Sequence, residues 1–315
     1  MVLVSVVMNA YNHEKYISEA IESILNQSFK DLELIIIDDS SHDTTPLIIR
    51  KYQTQDSRIR AIFHEKNMGI AETMNECISE AKGKFISFIS SDDVWLTAKL
   101  EKQLEILKEN ENALVWSEGE VIDGSGYPRG FSFTQMHRAS KKRKSGNILL
   151  ELIDDNFIFG QSLITKTEYA KCVKYNSQLK YLNDYQFMVD LASQHDFLFI
   201  PEPLAKYRIH GKNSILRDKS DWLADRIMLR TYFLQKYGNV MSNNLKANLY
   251  LKIGEAFSSL GKDDVAKQFF LKAIRSGFLS KEVILYLAYA LTNAKGVIGR
   301  FLLVLYLKID SIVRK

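Results

Sequence analysis

The chain has 315 residues, 46% apolar and 25% charged, the composition of a globular protein with room for one large domain and a smaller one. Lys and Arg outnumber Asp and Glu by 42 to 38, a net +4. That excess is too mild to call for nucleic acid as a partner, and no apolar run approaches the roughly 18 to 20 residues of a bilayer span.

Met1–Ser5 runs straight into an apolar pattern with no basic n-region or cleavage-like site, so the expectation is a cytoplasmic protein without a secretory signal. Leu3–Met8 is a valine-rich apolar run, the pattern of a strand buried on both faces. Residues 14–27 follow with Ile17, Ala20, Ile21, Ile24 and Leu25 at helical spacing and Asn12 as the expected cap. The alternation then repeats, with strands over 33–37, 59–63 and 85–89 and helices over 45–52, 70–81 and 97–109. Strands alternating with helices at this spacing predict a parallel sheet with right-handed crossovers. Cys77 and Cys172, each in a helical pattern without CxxC or Cys/His spacing, are expected to be buried free thiols. From about Gly119 to Gly146 the pattern breaks into glycine, serine and the basic run Lys141–Lys144, which predicts a loop. From about Asp221 no strand signal is left. There Tyr250, Ile253, Gly254, Phe257, Gly261, Ala266, Phe270 and Ala273 stand at the offsets of one tetratricopeptide-like helix pair.

In open α/β sheets ligands bind beyond the carboxyl ends of the strands. This chain places Asn9-Ala10-Tyr11-Asn12 after the first strand, Asp38-Asp39-Ser40-Ser41 after the second and Ser90-Ser91-Asp92-Asp93 after the fourth. Four carboxylates converging on one rim repel one another unless a cation sits among them, and oxygen donors select hard ions such as magnesium or manganese. Neither GxGxxG nor GxxxxGK[ST] occurs, so a metal would have to replace the glycine-rich phosphate cradle. The plainer alternative for each aspartate pair is a turn and the cap of the following helix.

The run VSVVMNAYNHEKYISEAIESILNQSFKDLELIIIDDSSHDTT, with NMGIAETMN and FISFISSDDVWLTAKLEKQ, resembles glycosyltransferase family 2, inverting enzymes of the GT-A fold. The resemblance covers residues 1–215 in outline. It implies a Rossmann-like, mostly parallel sheet flanked by helices over 1–218, with a nucleotide-sugar half (1–115) and an acceptor half (116–218), followed by an all-helical region over 219–315. It implies transfer of a sugar from a nucleotide diphosphate donor to an acceptor hydroxyl with inversion, dependent on Mn2+ or Mg2+. Tyr11 matches the aromatic that stacks on the donor base, Asp39 the carboxylate that takes the base's imide hydrogen, and these two resemble a uracil site. Asp92 and Asp93 match the DXD element that reaches ribose and metal, with Asn9 and Asn67 beside them in the donor site. YLNDYQFMVDLA puts the catalytic base on Asp184, and PEPLAKYRIHGKNS puts a metal-approaching role on His210, so Asp93 and His210 are the expected metal ligands. Trp95, Phe159 and Gln161 are expected around the acceptor. Two positions depart from the family pattern: Ser90 stands where most members have the first aspartate of DXD, and Asn183 replaces the usual acidic neighbour of the base.

An acceptor hydroxyl is a poor nucleophile at neutral pH, and a carboxylate placed to take its proton contributes roughly 10²- to 10⁴-fold. The acceptor is a glycan, a glycoprotein or a lipid-linked sugar. The Lys141–Lys144 run is either a solvated loop or a contact for a phosphorylated or lipid-linked acceptor. Phe301–Leu307, flanked by Arg300, Lys308, Arg314 and Lys315, is too short to span. It either packs on the helical region or a second subunit, giving a homodimer, or lies at the inner face of the membrane. The rival readings are a sugar-1-phosphate nucleotidyltransferase, which calls for a glycine-rich basic loop after the first strand, and a non-catalytic scaffold with a decayed rim.

Overall fold

A computed structural model describes residues 2–211, 213 and 219–276 of the chain, which divides into two compact units, 1–217 and 218–315. The first unit opens with β1 (Val4–Ala10), α1 (Ile17–Leu25), β2 (Leu32–Asp38), α2 (Thr45–Gln55), β3 (Ile59–Phe63), α3 (Ile70–Glu80) and β4 (Phe85–Ser90). β5 (Val94–Trp95), α4 (Lys99–Glu109), β6 (Leu114–Asp123), β7 (Pro128–Ser132), α5 (Phe133–Met136) and α6 (Leu149–Asp154) follow. β8 (Ile164–Lys166), α7 (Thr167–Cys172), α8 (Asn183–Ala192) and β9 (Phe197–Ile209) complete it. The strands form one sheet in the order β3-β2-β1-β4-β8-β6-β9-β5, with β7 paired to β6. β3, β2, β1 and β4 run parallel, and β6 is parallel to β9, while β8, β7 and β5 are antiparallel to their neighbours. This is the mostly parallel, helix-flanked sheet of the GT-A fold.

The parallel strands are apolar because both their faces are covered. Val4, Val6, Val7 and Met8 of β1 and Leu34 to Ile37 of β2 are buried, and α1 lays Ile17, Ala20, Ile21 and Ile24 on them. α1 begins later than its sequence pattern suggests. Asn12 has φ +55° and its Oδ1 accepts the backbone N–H of His42 at 2.8 Å, so it ties two rim loops together and does not cap the helix. Cys77 is buried as expected, whereas Cys172, at the end of α7, is exposed.

The stretch from Gly119 to Gly146 is also more ordered than a loop. It holds the end of β6, all of β7 and α5, whose N-terminus is closed by a capping box between Ser132 and Gln135. The apolar pattern breaks there because the polar residue just before the stretch, Glu118, is structural. Glu118 is 3% exposed and accepts bonds from Gly119, Thr134 and Arg143. Three of the four cations in the basic run meet acids: Lys142 meets Asp154, Arg143 meets Glu118 and Lys144 meets Glu151.

The second unit, described by itself, contains α9 (Lys219–Tyr237), α10 (Asn243–Ser259) and α11 (Asp263–Arg275). α10 and α11 pack through Ala247, Leu251, Ala266, Phe270 and Ala273. They approach closely because Gly254 faces the Phe270 ring, where a Cβ would come within 2.4 Å. The apolar run Phe301–Leu307 lies outside the described residues. Among the described residues no helix is long and apolar enough to cross a membrane.

Gly83 joins α3 to β4 with its N–H on Ser5 Oγ at 2.8 Å, and a Cβ there would stand 2.5 Å from the Ser5 nitrogen and 2.8 Å from the Val4 carbonyl carbon. Both obstacles are backbone of the central strand and cannot swing aside. Gly83→Ala should therefore lower stability by about 2 to 4 kcal/mol, read as a shift of the urea midpoint at unchanged slope. A loss below about 0.5 kcal/mol would show that β1 yields more easily than this geometry implies.

Candidate active site

Strand register sets the rim. Asn9 of β1 stands level with Ile37 of β2 and Ser90 of β4, and Ala10 with Asp38. Beyond β2 the chain turns through Ser40, φ +62°, and Asp38 closes that turn by accepting the Ser41 N–H at 3.0 Å. Asp39 is held from three sides. Its Oδ1 accepts the Met68 N–H at 2.7 Å and faces Nδ1 of His64 at 2.8 Å, and its Oδ2 accepts the Gly69 N–H at 2.8 Å. A carboxylate oxygen has two lone pairs, so Oδ2 keeps one acceptor position. Asn67, exposed, returns its amide to the Asp39 carbonyl at 3.1 Å, and Tyr11, half-buried, stands edge-on to His42. Asn9, Tyr11, Asp39 and Asn67 thus gather where β1, β2 and the start of α3 meet.

Asp92 and Asp93, both buried beyond β4, keep different company. Asp93 Oδ1 accepts the backbone N–H of Arg208 in β9 at 2.9 Å. The Arg208 side chain, 2% exposed, donates from Nε to the Asp92 carbonyl at 2.8 Å and pairs with Glu19 at 2.5 Å. Asp92 turns its carboxylate to two histidines: Oδ2 is 3.0 Å from Nε2 of His210 and 4.0 Å from Nε2 of His13. Burial and then the charge of Asp92 push the Asp93 carboxyl well above its usual range. At Asp92 burial acts the same way, but the His210 hydrogen bond and the nearby imidazoles outweigh it and hold the carboxyl low. The pair therefore carries its negative charge on Asp92.

His13, Asp92 and His210 present one ligand atom each within 4.8 Å of one another. Two imidazole nitrogens and a charged carboxylate are a donor set that fits a divalent ion, and the nitrogens suit manganese better than magnesium, which favours an all-oxygen octahedron. Nδ1 of His13 rests on Ser91 Oγ at 2.7 Å, which orients the ring. Asp93 is the aspartate expected to bind metal. Asp92, and not Asp93, belongs to this cluster, while Asp93 Oδ1 is taken up by the β9 backbone. A cavity of about 620 Å³ opens against His210, lined also by Lys15, Tyr16, Gly124, Ser125 and Arg208.

Asp184 lies in the first turn of α8. Asp184 is exposed, and desolvation by the protein around it pushes its carboxyl up to about 6 against the pull of the Tyr185 N–H at 2.7 Å. Burial and then the negative charge of Asp93, Asp92 and Asp184 raise the phenol of Tyr207 in β9, whose ring packs edge-on to Phe133 and Phe159. Asn183, beside Asp184, is buried with its amide on the Leu179 carbonyl at 3.3 Å.

Two of the three residues expected at the acceptor do not line any opening. Trp95 is 2% exposed, donates its Nε1–H to the Gln161 carbonyl at 3.0 Å and is covered by the Lys99 ammonium 3.8 Å from its ring. Phe159 is 1% exposed and stacks on Phe133 with centroids 4.9 Å apart. Both belong to the core, where large aromatic surface is best buried. Gln161 remains at the rim, donating to Ser90 Oγ at 2.7 Å.

The family profile described as glycosyl transferase family 2 matches residues 5–168. A glycosyltransferase of Methanocaldococcus jannaschii, itself uncharacterised, is 34% identical over 239 residues, 74% of this chain and 80% of that protein. The chain belongs to glycosyltransferase family 2. Another relative, the Escherichia coli UDP-Glc:alpha-D-GlcNAc-diphosphoundecaprenol beta-1,3-glucosyltransferase, is 29% identical over 65% of this chain and 89% of its own. Among solved structures, Staphylococcus aureus TarS 1–349 in complex with UDP-GlcNAc superposes with a TM-score of 0.68 at 18% identity, covering 92% of this chain and 87% of that one. A mannosyltransferase of Pyrobaculum calidifontis with GDP-Man and Mn2+ gives 0.57 at 15% identity, over 95% and 82%.

In this family 2 chain the residue that sequence reading passed over is His13. Its one signal was position, two residues after Tyr11 in the rim loop, since no ligand spacing accompanies it. Manganese titrations followed by calorimetry should show at least a tenfold loss of affinity for Asp92→Asn and for His13→Ala, and a loss under about threefold for Asp93→Asn. Weaker manganese binding in Asp93→Asn than in Asp92→Asn would return the metal to Asp93.

Proposed function

We propose that this glycosyltransferase moves a sugar from a UDP-sugar to a hydroxyl of a lipid-linked glycan acceptor, with inversion at the anomeric carbon. The observation that carries the reading is the His13, Asp92 and His210 cluster on the sheet rim that also holds Asp39. The UDP-GlcNAc complex of a structural neighbour and the diphosphoundecaprenol-linked acceptor named for the E. coli relative supply the substrate classes. Such a donor and acceptor would meet at the inner face of a membrane.

Tyr11 offers its ring to the base, and stacking of this kind contributes roughly 1 to 3 kcal/mol. Asp39 accepts the imide hydrogen at its open Oδ2 position. His13, Asp92 and His210 hold a divalent cation, Mn2+ by their donor chemistry, which when bound neutralises the donor diphosphate as it leaves. Asp184 takes the proton of the attacking hydroxyl. A carboxyl at about 6 is a stronger base than an ordinary aspartate and is still mostly ionised at neutral pH. One in-line displacement then inverts the anomeric centre, so an alpha-linked donor gives a beta-linked product.

Asp184→Asn keeps the shape of the side chain and removes its basicity. Transfer should fall at least about 10²-fold in kcat while the UDP dissociation constant stays within twofold. Native-like transfer by Asp184→Asn would place the base elsewhere. In the unmodified enzyme the base works only when ionised, so kcat should fall about tenfold per pH unit below about 6. Manganese affinity measured at each pH separates this limb from loss of the metal, and a limb near 4 with manganese still bound would contradict the raised carboxyl of Asp184.

A further inference from the structure

His64 follows β3 and is fixed there by its backbone N–H on the Asp38 carbonyl at 2.9 Å. Its ring is bracketed by two carboxylates, with Nδ1 2.8 Å from Asp39 Oδ1 and Nε2 2.9 Å from Glu76 Oε2 in α3. Burial disfavours the imidazolium, but the bonds to Asp39 and Glu76 outweigh it and raise the basicity of the ring. Glu76 is half-open to solvent while Asp39 is 5% exposed. If the ring loses a proton, the Glu76 side is the one that can let go, and the Nδ1–H bond to Asp39 remains.

The consequence lies in how many acceptor positions Asp39 has left. Oδ1 is filled by Met68 N–H and His64 Nδ1–H, and Oδ2 by Gly69 N–H alone. A uracil edge presents one N–H between two carbonyls, so it needs a single acceptor and is repelled by a second bare carboxylate oxygen. A guanine edge presents two adjacent N–H donors and binds a carboxylate best through both oxygens. We propose that His64 makes this donor site select uracil over guanine, by occupying the Asp39 oxygen that guanine would need. His64 is a positioning residue in this scheme, and the inference rests on the reading that Asp39 receives the base.

The test is calorimetric titration of UDP and of GDP, each with Mn2+, into the full chain and its variants. The unmodified protein should bind UDP at least about tenfold tighter than GDP, and His64→Leu should shrink that ratio about tenfold, the size of one charge-assisted hydrogen bond. His64→Asn, whose amide nitrogen can stand where Nδ1 stood, should keep most of the ratio. If His64→Leu does not fold, His64→Gln serves instead, since its amide falls near Nε2 and misses Asp39. An unchanged ratio in the folded His64→Leu or His64→Gln protein, or a preference for GDP in the unmodified one, overturns the inference. Asp39→Asn tells the two failures apart. If it abolishes the preference while the His64 variants keep it, only the role of His64 falls; if it too leaves the ratio unchanged, the base does not lie on Asp39.

Discussion

Aspartates at the carboxyl edge of a parallel sheet cannot share a buried rim with their charges uncompensated, and the way each one is neutralised decides what the others can do. Asp38 spends its charge on the turn after β2, Asp39 on two backbone amides and His64, and Asp93 on the backbone of Arg208. Asp92 alone of the four faces a pair of imidazoles. The four carboxylates of the rim thus have different partners, and the proposed cation site draws on Asp92 alone among them. Charge on Asp92 is favoured because Asp93 is driven toward its protonated form by burial and by Asp92 itself.

β9 carries much of this arrangement. The Arg208 backbone N–H donates to Asp93 and its side chain to the Asp92 carbonyl, and His210 follows directly. A strand pairing with both β6 and β5 is a rigid mount, and His13, Asp92 and His210 stand on the short segments that leave β1, β4 and β9. Pairs such as Lys102 with Glu202 at the surface contribute little beside this, since exposed ion pairs are worth about 0 to 1 kcal/mol.

Strands β1 to β4 were legible in the sequence because burial on both faces leaves continuous apolar runs, and the rim was legible because strand ends in such sheets face the ligand. β6 and β7 were not. Glu118 and Gly119 interrupt the apolar pattern for packing reasons that only tertiary structure supplies: Glu118 anchors α5, and a Cβ on Gly119 would meet the Phe159 ring at 2.5 Å. The same blindness explains Trp95 and Phe159, since an aromatic beside a polar motif looks alike in sequence whether it faces a sugar or the core. The choice between Asp92 and Asp93 likewise needed the orientation of two neighbouring side chains. His13 escaped notice because its partners, Asp92 and His210, come from distant strands.

The central claim, one cation held by His13, Asp92 and His210 at the donor site, is tested most directly by anomalous diffraction at the manganese edge from crystals grown with Mn2+ and UDP. The account predicts a single strong peak within bonding distance of Asp92 Oδ2 and Nε2 of His210 and in contact with the diphosphate. A peak bound by Asp93 with Asp92 turned away, or UDP ordered on Tyr11 and Asp39 with no manganese between its phosphates and Asp92, would contradict it.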